Sequence, residues 1–208
     1  LDPIDGTKGF LRGDQYAIAL ALVVDGEVAL GVLGCPNLPV GDGAGDTGAV
    51  FVAGGGRCEQ HPLDGGPVRT VAVSPPAPLS AARVCESVES AHSDHGVSAA
   101  VVERLGIEVE PFRIDSQCKY AAVARGDASI YLRLPTRPGR REKIWDHAAG
   151  KYVVEQAGGR VTDIAGRPLD FRHGSTLARN HGVVATDGAH HDEVLAAIAT
   201  VADRLPAD

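Results

Sequence analysis

The segment Asp2-Pro3-Ile4-Asp5-Gly6-Thr7 carries residue types that can bind a metal ion and a phosphate group. Its two carboxylates and the Ile4 carbonyl are hard oxygen ligands of the kind that Mg²⁺ prefers, and water and substrate phosphate usually complete a magnesium shell. Gly6 leaves room for an incoming anion, and the Thr7 hydroxyl could hold an attacking water. The same residues are also common in turns and at helix starts, so metal binding and a purely structural turn are both open at this point.

A second segment, Glu142-Lys143-Ile144-Trp145-Asp146-His147, places a further carboxylate at the start of an apolar helix that is predicted to run to about Gln156. Alone, Asp146 is typical of a first-turn acid that the helix dipole favours. Taken together, the two segments resemble the motifs of the lithium-sensitive, Mg²⁺-dependent phosphatase superfamily of inositol monophosphatases and fructose-1,6-bisphosphatases.

Within that superfamily, the sequence is most similar to the 3′(2′),5′-bisphosphate nucleotidases. The similarity spans nearly the whole chain and weakens only around 41–47, in 54–83 and at the end. It implies an α/β fold (α+β layered), the αβαβα sandwich of the inositol monophosphatase and fructose-1,6-bisphosphatase type. The stretches that carry the narrower resemblance lie at 8–16, 31–39, 86–93, 115–120 and 131–135.

The resemblance also implies roles for individual residues. Thr7 would orient or deprotonate the nucleophilic water, and Asp5 would serve both as a metal ligand and in catalysis. Two or three Mg²⁺ ions would be held by Asp2, the Ile4 carbonyl, Asp5 and Asp146. The residues implied to contact the substrate are Gly6, Thr7, His92, Ser116, Lys119, Arg133 and Asp146.

Two further acidic residues of the family pattern have no position in this sequence. They are a glutamate that bridges the metal ions and an aspartate that works with the threonine, and both are expected before Leu1. The chain is therefore expected to lack the N-terminal elements of the fold and to show little hydrolysis by itself.

The substrate contacts also have simpler interpretations. Ser116 lies between a predicted strand and a predicted helix, where a serine ordinarily caps the helix. Lys119, one turn further on, could face the same ligand or only solvent. Arg133 has a planar guanidinium suited to phosphate, although it could equally pair with Glu142.

The pattern of apolar segments predicts strands and helices that alternate through most of the chain. Leu1 is predicted to end a buried strand, and Asp25-Gly26 to join two strands in a hairpin that is covered on both faces. The proline-rich segment 74–78 predicts a hinge between a metal-binding part, 1–76, and a substrate-binding part, 77–208. Strands are predicted near 16–24, 28–33, 50–53, 68–73, 109–114, 128–132, 160–162 and 183–186, and helices near 97–105, 117–125, 146–156 and 190–204.

Composition narrows the class of partner. A net charge of −7 argues against non-specific binding to nucleic acid, because two polyanions repel. No apolar run reaches the roughly 18 residues that would indicate a membrane span. The four cysteines are widely spaced, which favours free thiols in a reducing compartment over disulfides or zinc. We expect a monomer in the cytoplasm or an organelle, with a small-molecule substrate.

The predicted reaction is Mg²⁺-assisted hydrolysis of a phosphomonoester. The resemblance implies that adenosine 3′,5′-bisphosphate is converted to AMP and phosphate in sulfur assimilation, with 3′-phosphoadenylyl sulfate as a second substrate. Two alternatives remain open: a phosphatase for inositol phosphates or another sugar phosphate, and a non-catalytic nucleotide-binding fragment.

Overall fold

The computed structural model describes residues 1–41, 46–88 and 95–206. These residues form two β-sheets, one of six strands and one of five. The first sheet is antiparallel throughout, and its strand order follows the chain. Its strands are β1 (Asp2–Asp5), β2 (Ala17–Val24), β3 (Glu27–Pro39), β4 (Thr47–Gly54), β5 (Arg57–Pro62) and β6 (Arg69–Val71), and helix α1 (Thr7–Arg12) connects β1 to β2.

The hairpin between β2 and β3 forms at the predicted turn. Val24 pairs with Glu27, so Asp25 and Gly26 are the two loop residues. Their φ angles of 53° and 82° are both positive, as the twist of a two-residue hairpin requires. Asp-Gly is therefore the local feature that sets the register of the long β2–β3 pair.

The second sheet is mixed and has the order β10-β11-β9-β7-β8. Strand β7 pairs in parallel with β8 and β9, whereas β11 pairs antiparallel with β9 and β10. Its strands are β7 (Val84–Glu86), β8 (Phe112–Arg113), β9 (Ile130–Arg133), β10 (Arg160–Thr162) and β11 (Val183–Thr186). The helices of this region are α2 (His95–Leu105), α3 (Cys118–Arg125), α4 (Ala148–Gln156) and α5 (His191–Ala199), and short 3₁₀ turns lie at Leu79–Ala81, Ile144–Asp146 and Ala202–Arg204.

Helices α3 and α4 lie between the two sheets. Small residues allow this close packing: a Cβ on Gly31 of β3 would lie 2.9 Å from the Ala149 carbonyl oxygen, and one on Gly150 would lie 2.1 Å from the Tyr120 ring. One apolar cluster joins the first sheet to these helices, and a second joins the other face of β9 and β11 to α2 and α5. The described layers are thus sheet, helix, sheet and helix, which confirms the expected layered α/β class.

The structure differs from the predictions at two places in the first sheet. Leu1 is exposed and precedes a strand rather than ending a buried one, because Asp2–Asp5 itself pairs with β2. The hairpin is also buried on one face only. Ala17 and Ala19 are buried, whereas Ile18, Leu20 and Leu22 on the opposite face are 40–54% exposed.

Two short strands were not predicted. The sequence of β5, Arg57–Pro62, is mostly polar and is not typical of a strand. The segment is a strand because it pairs with β4. Strand β7 has only three residues, too few for a periodic pattern. All four cysteines are buried free thiols, as expected.

The proline-rich segment after β6 connects the two sheets, and its first residues are hydrogen-bonded to the ends of α4 and α3. The Val73 N–H donates to the Ala157 carbonyl at 3.0 Å, and the Ser74 hydroxyl donates to the Gly126 carbonyl at 2.9 Å. A division of the chain at 76/77 stays a prediction.

The longest described helix, α2, has 11 residues, and none of the described helices combines the length and apolar character needed to cross a membrane.

His191 links the last helix to the second sheet and should make stability depend on pH. Its ring is fully buried, with Nε2 2.8 Å from the Thr162 hydroxyl and Nδ1 2.9 Å from the Thr186 hydroxyl. Burial, assisted by Arg160, lowers the pKa of His191 to about 4. Because the unfolded chain binds this proton more readily, the stability that depends on neutral His191 is present above about pH 6.5 and is lost as pH falls.

We therefore expect the free energy of unfolding in urea to fall by about 2 kcal/mol from this group between pH 7 and pH 5. The same comparison in His191→Gln, which cannot titrate, should show a correspondingly smaller fall. A His191 ring that titrates above pH 6 by NMR in the folded protein would contradict this.

Candidate metal and substrate site

One cavity of about 380 Å³ contains nearly all of the predicted site residues. It lies where the end of β1, the start of α1, the start of α3 and the 3₁₀ turn before α4 meet. His92 lies outside the described residues. The predicted site residues that line the cavity are Asp2, Ile4, Asp5, Gly6, Thr7, Ser116, Lys119, Arg133 and Asp146.

Three carboxylates converge at one end of the cavity. Asp2 and Asp5 come from β1, and Asp146 comes from the 3₁₀ turn, so this residue precedes α4 instead of lying in its first turn. One oxygen from each lies within 4.8 Å of the others. The Thr7 hydroxyl lies 3.3 Å from the Ile4 carbonyl oxygen, to which it donates.

Burial makes this arrangement costly without a cation. It raises the pKa of Asp5 to about 6, against the opposing effects of the Lys119 charge and a hydrogen bond from the Gln117 N–H. Burial also raises the pKa of Asp146. A divalent cation would offset both the desolvation and the mutual repulsion, and the all-oxygen donor set suits Mg²⁺. The residues present therefore fit a magnesium site.

The backbone at Gly6 and Ser116 brings the metal end against the start of α3. Gly6 has a φ of 81°, and a Cβ at this position would lie 2.7 Å from the Ser116 Cβ. Ser116 itself has a φ of 63°, which is uncommon for a residue with a side chain. Its hydroxyl accepts a hydrogen bond from the Cys118 N–H at 3.2 Å, so the capping interpretation holds in part.

Two buried cations, Lys119 and Arg133, also line the cavity. Lys119 is buried, its Nζ donates to the Ile114 carbonyl at 3.3 Å, and burial lowers its pKa although Asp5 opposes this. Arg133 pairs with Glu142, with Nη2 3.3 Å from Oε2. Lining the cavity and pairing with Glu142 are therefore compatible for Arg133.

A second acidic group, Glu142 with Asp146 and His147, also has ligand atoms within 4.8 Å of one another. Its charge is already compensated by protein groups. Burial raises the pKa of Glu142, but hydrogen bonding to His147 and the Arg133 charge outweigh burial and hold it well below its usual range. His147 Nδ1 lies 2.6 Å from the Tyr120 hydroxyl. We interpret this group as the support of Arg133 and not as a second metal centre.

Comparison with known proteins agrees with this geometry. Residues 1–202 match the inositol monophosphatase family. The chain belongs to this family. A 3′(2′),5′-bisphosphate nucleotidase of Emericella nidulans is 48% identical over 97% of this chain and 62% of its own length, and one of Oryza sativa is 52% identical over 90% and 54%. The chain thus spans 54–62% of the length of these two curated relatives.

Solved structures of the family share the fold. An IMPase from Thermotoga maritima superposes with a TM-score of 0.72 at 25% identity, over 98% of this chain and 68% of its own. SuhB from Mycobacterium tuberculosis superposes with a TM-score of 0.69 at 22% identity, over 96% and 70%. The layered architecture is therefore that of the inositol monophosphatase family.

Sequence reasoning missed Gln117, which connects the separate segments of this family site. Its backbone N–H donates to Asp5 Oδ2 at 2.5 Å. Its buried side chain donates to the Trp145 carbonyl at 2.9 Å and accepts from the Gly150 N–H at 3.1 Å. Gln117 thus links Asp5 on β1 to the turn that carries Asp146. The available signal was a polar residue within the otherwise buried start of α3.

Gln117→Leu should weaken Mg²⁺ binding several-fold, because the turn that carries Asp146 and the start of α4 each lose a side-chain hydrogen bond. The unfolding free energy should also fall by about 1–3 kcal/mol for the buried groups left unpaired. Calorimetric titration with Mg²⁺ measures the first effect, and urea unfolding the second.

Gln60→Leu is the matched control. Gln60 is equally buried and donates to the Val40 carbonyl at 2.6 Å, but it does not line the cavity. This variant should lose stability without losing magnesium affinity. Equal magnesium affinities in the two variants would show that Gln117 is only structural.

Proposed function

We propose that this chain supplies the metal-binding and nucleotide-binding residues of a Mg²⁺-dependent phosphatase. In this proposal the enzyme removes the 3′-phosphate of adenosine 3′,5′-bisphosphate and releases AMP and phosphate. The observation that carries the proposal is the distribution of charge in one cavity. Three carboxylates, those of Asp2, Asp5 and Asp146, line it together with the cations Lys119 and Arg133.

The cluster of three carboxylates would receive the phosphate that is hydrolysed. Asp2, Asp5, Asp146 and the Ile4 carbonyl would hold the metal. Bound magnesium would polarise the phosphate and lower the pKa of water. The Thr7 hydroxyl, now donating to the Ile4 carbonyl, is positioned to exchange that bond for one to a water in the cavity.

Arg133 and Lys119 would bind the second phosphate of the substrate. Arg133 offers a guanidinium for charge-assisted hydrogen bonds, and Lys119 a compact charge. The Ser116 hydroxyl would contact the nucleotide as well. A contact from His92 stays a prediction. The names of the Emericella and Oryza relatives support a nucleotide bisphosphate over other phosphomonoesters. Acceptance of 3′-phosphoadenylyl sulfate, a role in sulfur assimilation and inhibition by lithium belong to the same proposal.

An inositol phosphate is the second candidate substrate. The observation in its favour is the close superposition on the Thermotoga IMPase. The two candidates differ in the second phosphate, because inositol 1-phosphate has none for Lys119 and Arg133 to bind. The ratio of the affinities for adenosine 3′,5′-bisphosphate and inositol 1-phosphate therefore separates them.

Asp5→Asn should weaken Mg²⁺ binding at least tenfold, a loss of about 1.4 kcal/mol or more, because it removes a charged ligand from the centre of the cluster. The metal-free fold should be as stable as wild type, since burial disfavours the ionised form of Asp5 and the asparagine oxygen can still accept from the Gln117 N–H.

Asp64→Asn is the control for charge. Asp64 lies in an exposed turn outside the cavity and accepts from the Gly66 N–H at 3.0 Å, a bond that asparagine keeps. Titration calorimetry should find its magnesium affinity unchanged. If a folded Asp5→Asn protein binds Mg²⁺ as wild type does, the proposed metal site is wrong.

Thr7→Ala should lower the rate of phosphate release by about 10²–10⁴ in the natural protein that contains this chain, because a group that positions a transferred proton is lost. Thr7→Ser keeps the hydroxyl and should retain most of the rate. A fall of less than about threefold for Thr7→Ala, well short of the typical loss for such a group, would leave Thr7 with a structural role at the start of α1.

A further inference from the structure

Arg140 lines the same cavity as Lys8, Lys119 and Arg133, and the residues assigned above leave it without a role. It lies in the loop between β9 and the 3₁₀ turn, with its side chain about one-third (34%) exposed. Two other arginines of this loop are placed differently. The Arg141 Nε donates to the Ala178 carbonyl at 3.2 Å, and Arg137 is exposed; neither lines the cavity.

The buried carboxylate of Glu142 contacts two guanidinium groups, those of Arg133 and Arg140. Glu142 Oε2 accepts from Arg133 Nη2 at 3.3 Å, and Glu142 Oε1 lies 3.4 Å from Arg140 Nε. The contact of Arg140 with Glu142 is through Nε. Within the described parts of the chain, its two terminal nitrogens have no hydrogen-bond partner, so they remain available to an anion in the cavity.

The charge balance shows what Arg140 adds. Glu142 can neutralise only one of the two arginines beside it. Without Arg140, that carboxylate would offset the Arg133 charge. With Arg140, the two guanidinium groups and Glu142 together keep one net positive charge beside the cavity. A positive charge there suits a phosphate monoester, which carries roughly −1.5 to −2 near neutral pH.

We infer that Arg140 is a substrate-binding residue that selects ligands with a second phosphate group. Its terminal nitrogens bind oxygens of this second phosphate, beside Arg133. Glu142 holds the two guanidinium groups on either side of it and thereby positions both. The inference rests on the proposed function, under which this group is the 5′-phosphate of the nucleotide.

The test compares ligands that differ only in that group. Adenosine 3′,5′-bisphosphate and adenosine 3′-monophosphate are titrated by calorimetry into the 208-residue chain with Mg²⁺ present, and released phosphate is assayed in parallel. Arg140→Ala should weaken binding of the bisphosphate about five- to tenfold, as expected for one partly exposed charge-assisted contact. Binding of the monophosphate should change less than twofold. The selectivity of the variant should also depend less on salt than that of wild type.

Arg137→Ala is the matched control, because it removes the same charge from the same loop without touching the cavity. Its selectivity should equal that of wild type. Arg140→Lys keeps the charge without the planar fork and should recover part of the selectivity. Thermal unfolding of each variant reports separately on the ion pair with Glu142.

The outcomes separate the two proposals. If wild type prefers the bisphosphate and Arg140→Ala keeps that preference, Arg140 only supports Glu142, and the inference is wrong while the proposed function stands. If wild type shows no preference for the bisphosphate, the proposed function fails and the role of Arg140 fails with it. Loss of preference in both Arg140→Ala and Arg137→Ala would indicate a general effect of loop charge and would also overturn the inference.

Discussion

The repulsion among three half-buried carboxylates is the constraint on which the rest of the site depends. Asp2, Asp5 and Asp146 place oxygens within 4.8 Å of one another, and burial raises the pKa of Asp5 and of Asp146. Such a cluster persists only where the fold leaves it no alternative and other groups offset part of the cost. The nearest of these groups are a backbone N–H from Gln117 and the charge of Lys119.

The layers of the fold supply the rigidity that this cluster needs. Helix α4 approaches β3 closely because Gly31 has no side chain, and α3 approaches α4 because Gly150 leaves space for the Tyr120 ring. These two contacts hold the elements from which Gln117 and Asp146 extend. A larger residue at either glycine would separate helix from sheet or helix from helix, and Asp146 would move away from β1. The carboxylate cluster is thus a consequence of packing between layers as much as of its own residues.

The parts of the site that could be predicted from the sequence are those whose chemistry lies in short segments. Asp2, Asp5 and Thr7 are close in sequence and lie at the junction of β1 and α1, so their spacing already indicated a common target. The addition of Asp146 came from resemblance, because nothing local connects it to β1. The hairpin at Asp25-Gly26 was predictable for the same local reason, since the turn type follows from the two residues.

The remaining features depend on contacts that no local pattern records. Strand β5 is polar and is ordered by its neighbour, so its composition gave no indication of a strand. Gln117 is important through two side-chain bonds to segments about 30 residues away. Arg140 could not be distinguished from Arg137 and Arg141 by sequence, because only the path of the loop decides which side chain enters the cavity.

Carboxylates and cations line one cavity, and a phosphate group would meet each of them differently. A ligand with two phosphates could place one at the carboxylate cluster only if a cation there reversed the local field, whereas Lys119 and Arg133 would attract a phosphate without any metal. In the absence of magnesium, the anionic ligand would therefore be held by Lys119 and Arg133 and repelled from Asp2 and Asp5. Magnesium and substrate should consequently favour each other's binding, since each supplies the charge that the other requires. Glu142 limits this mutual effect, because it holds the guanidinium groups of Arg133 and Arg140 in place and cancels part of their charge.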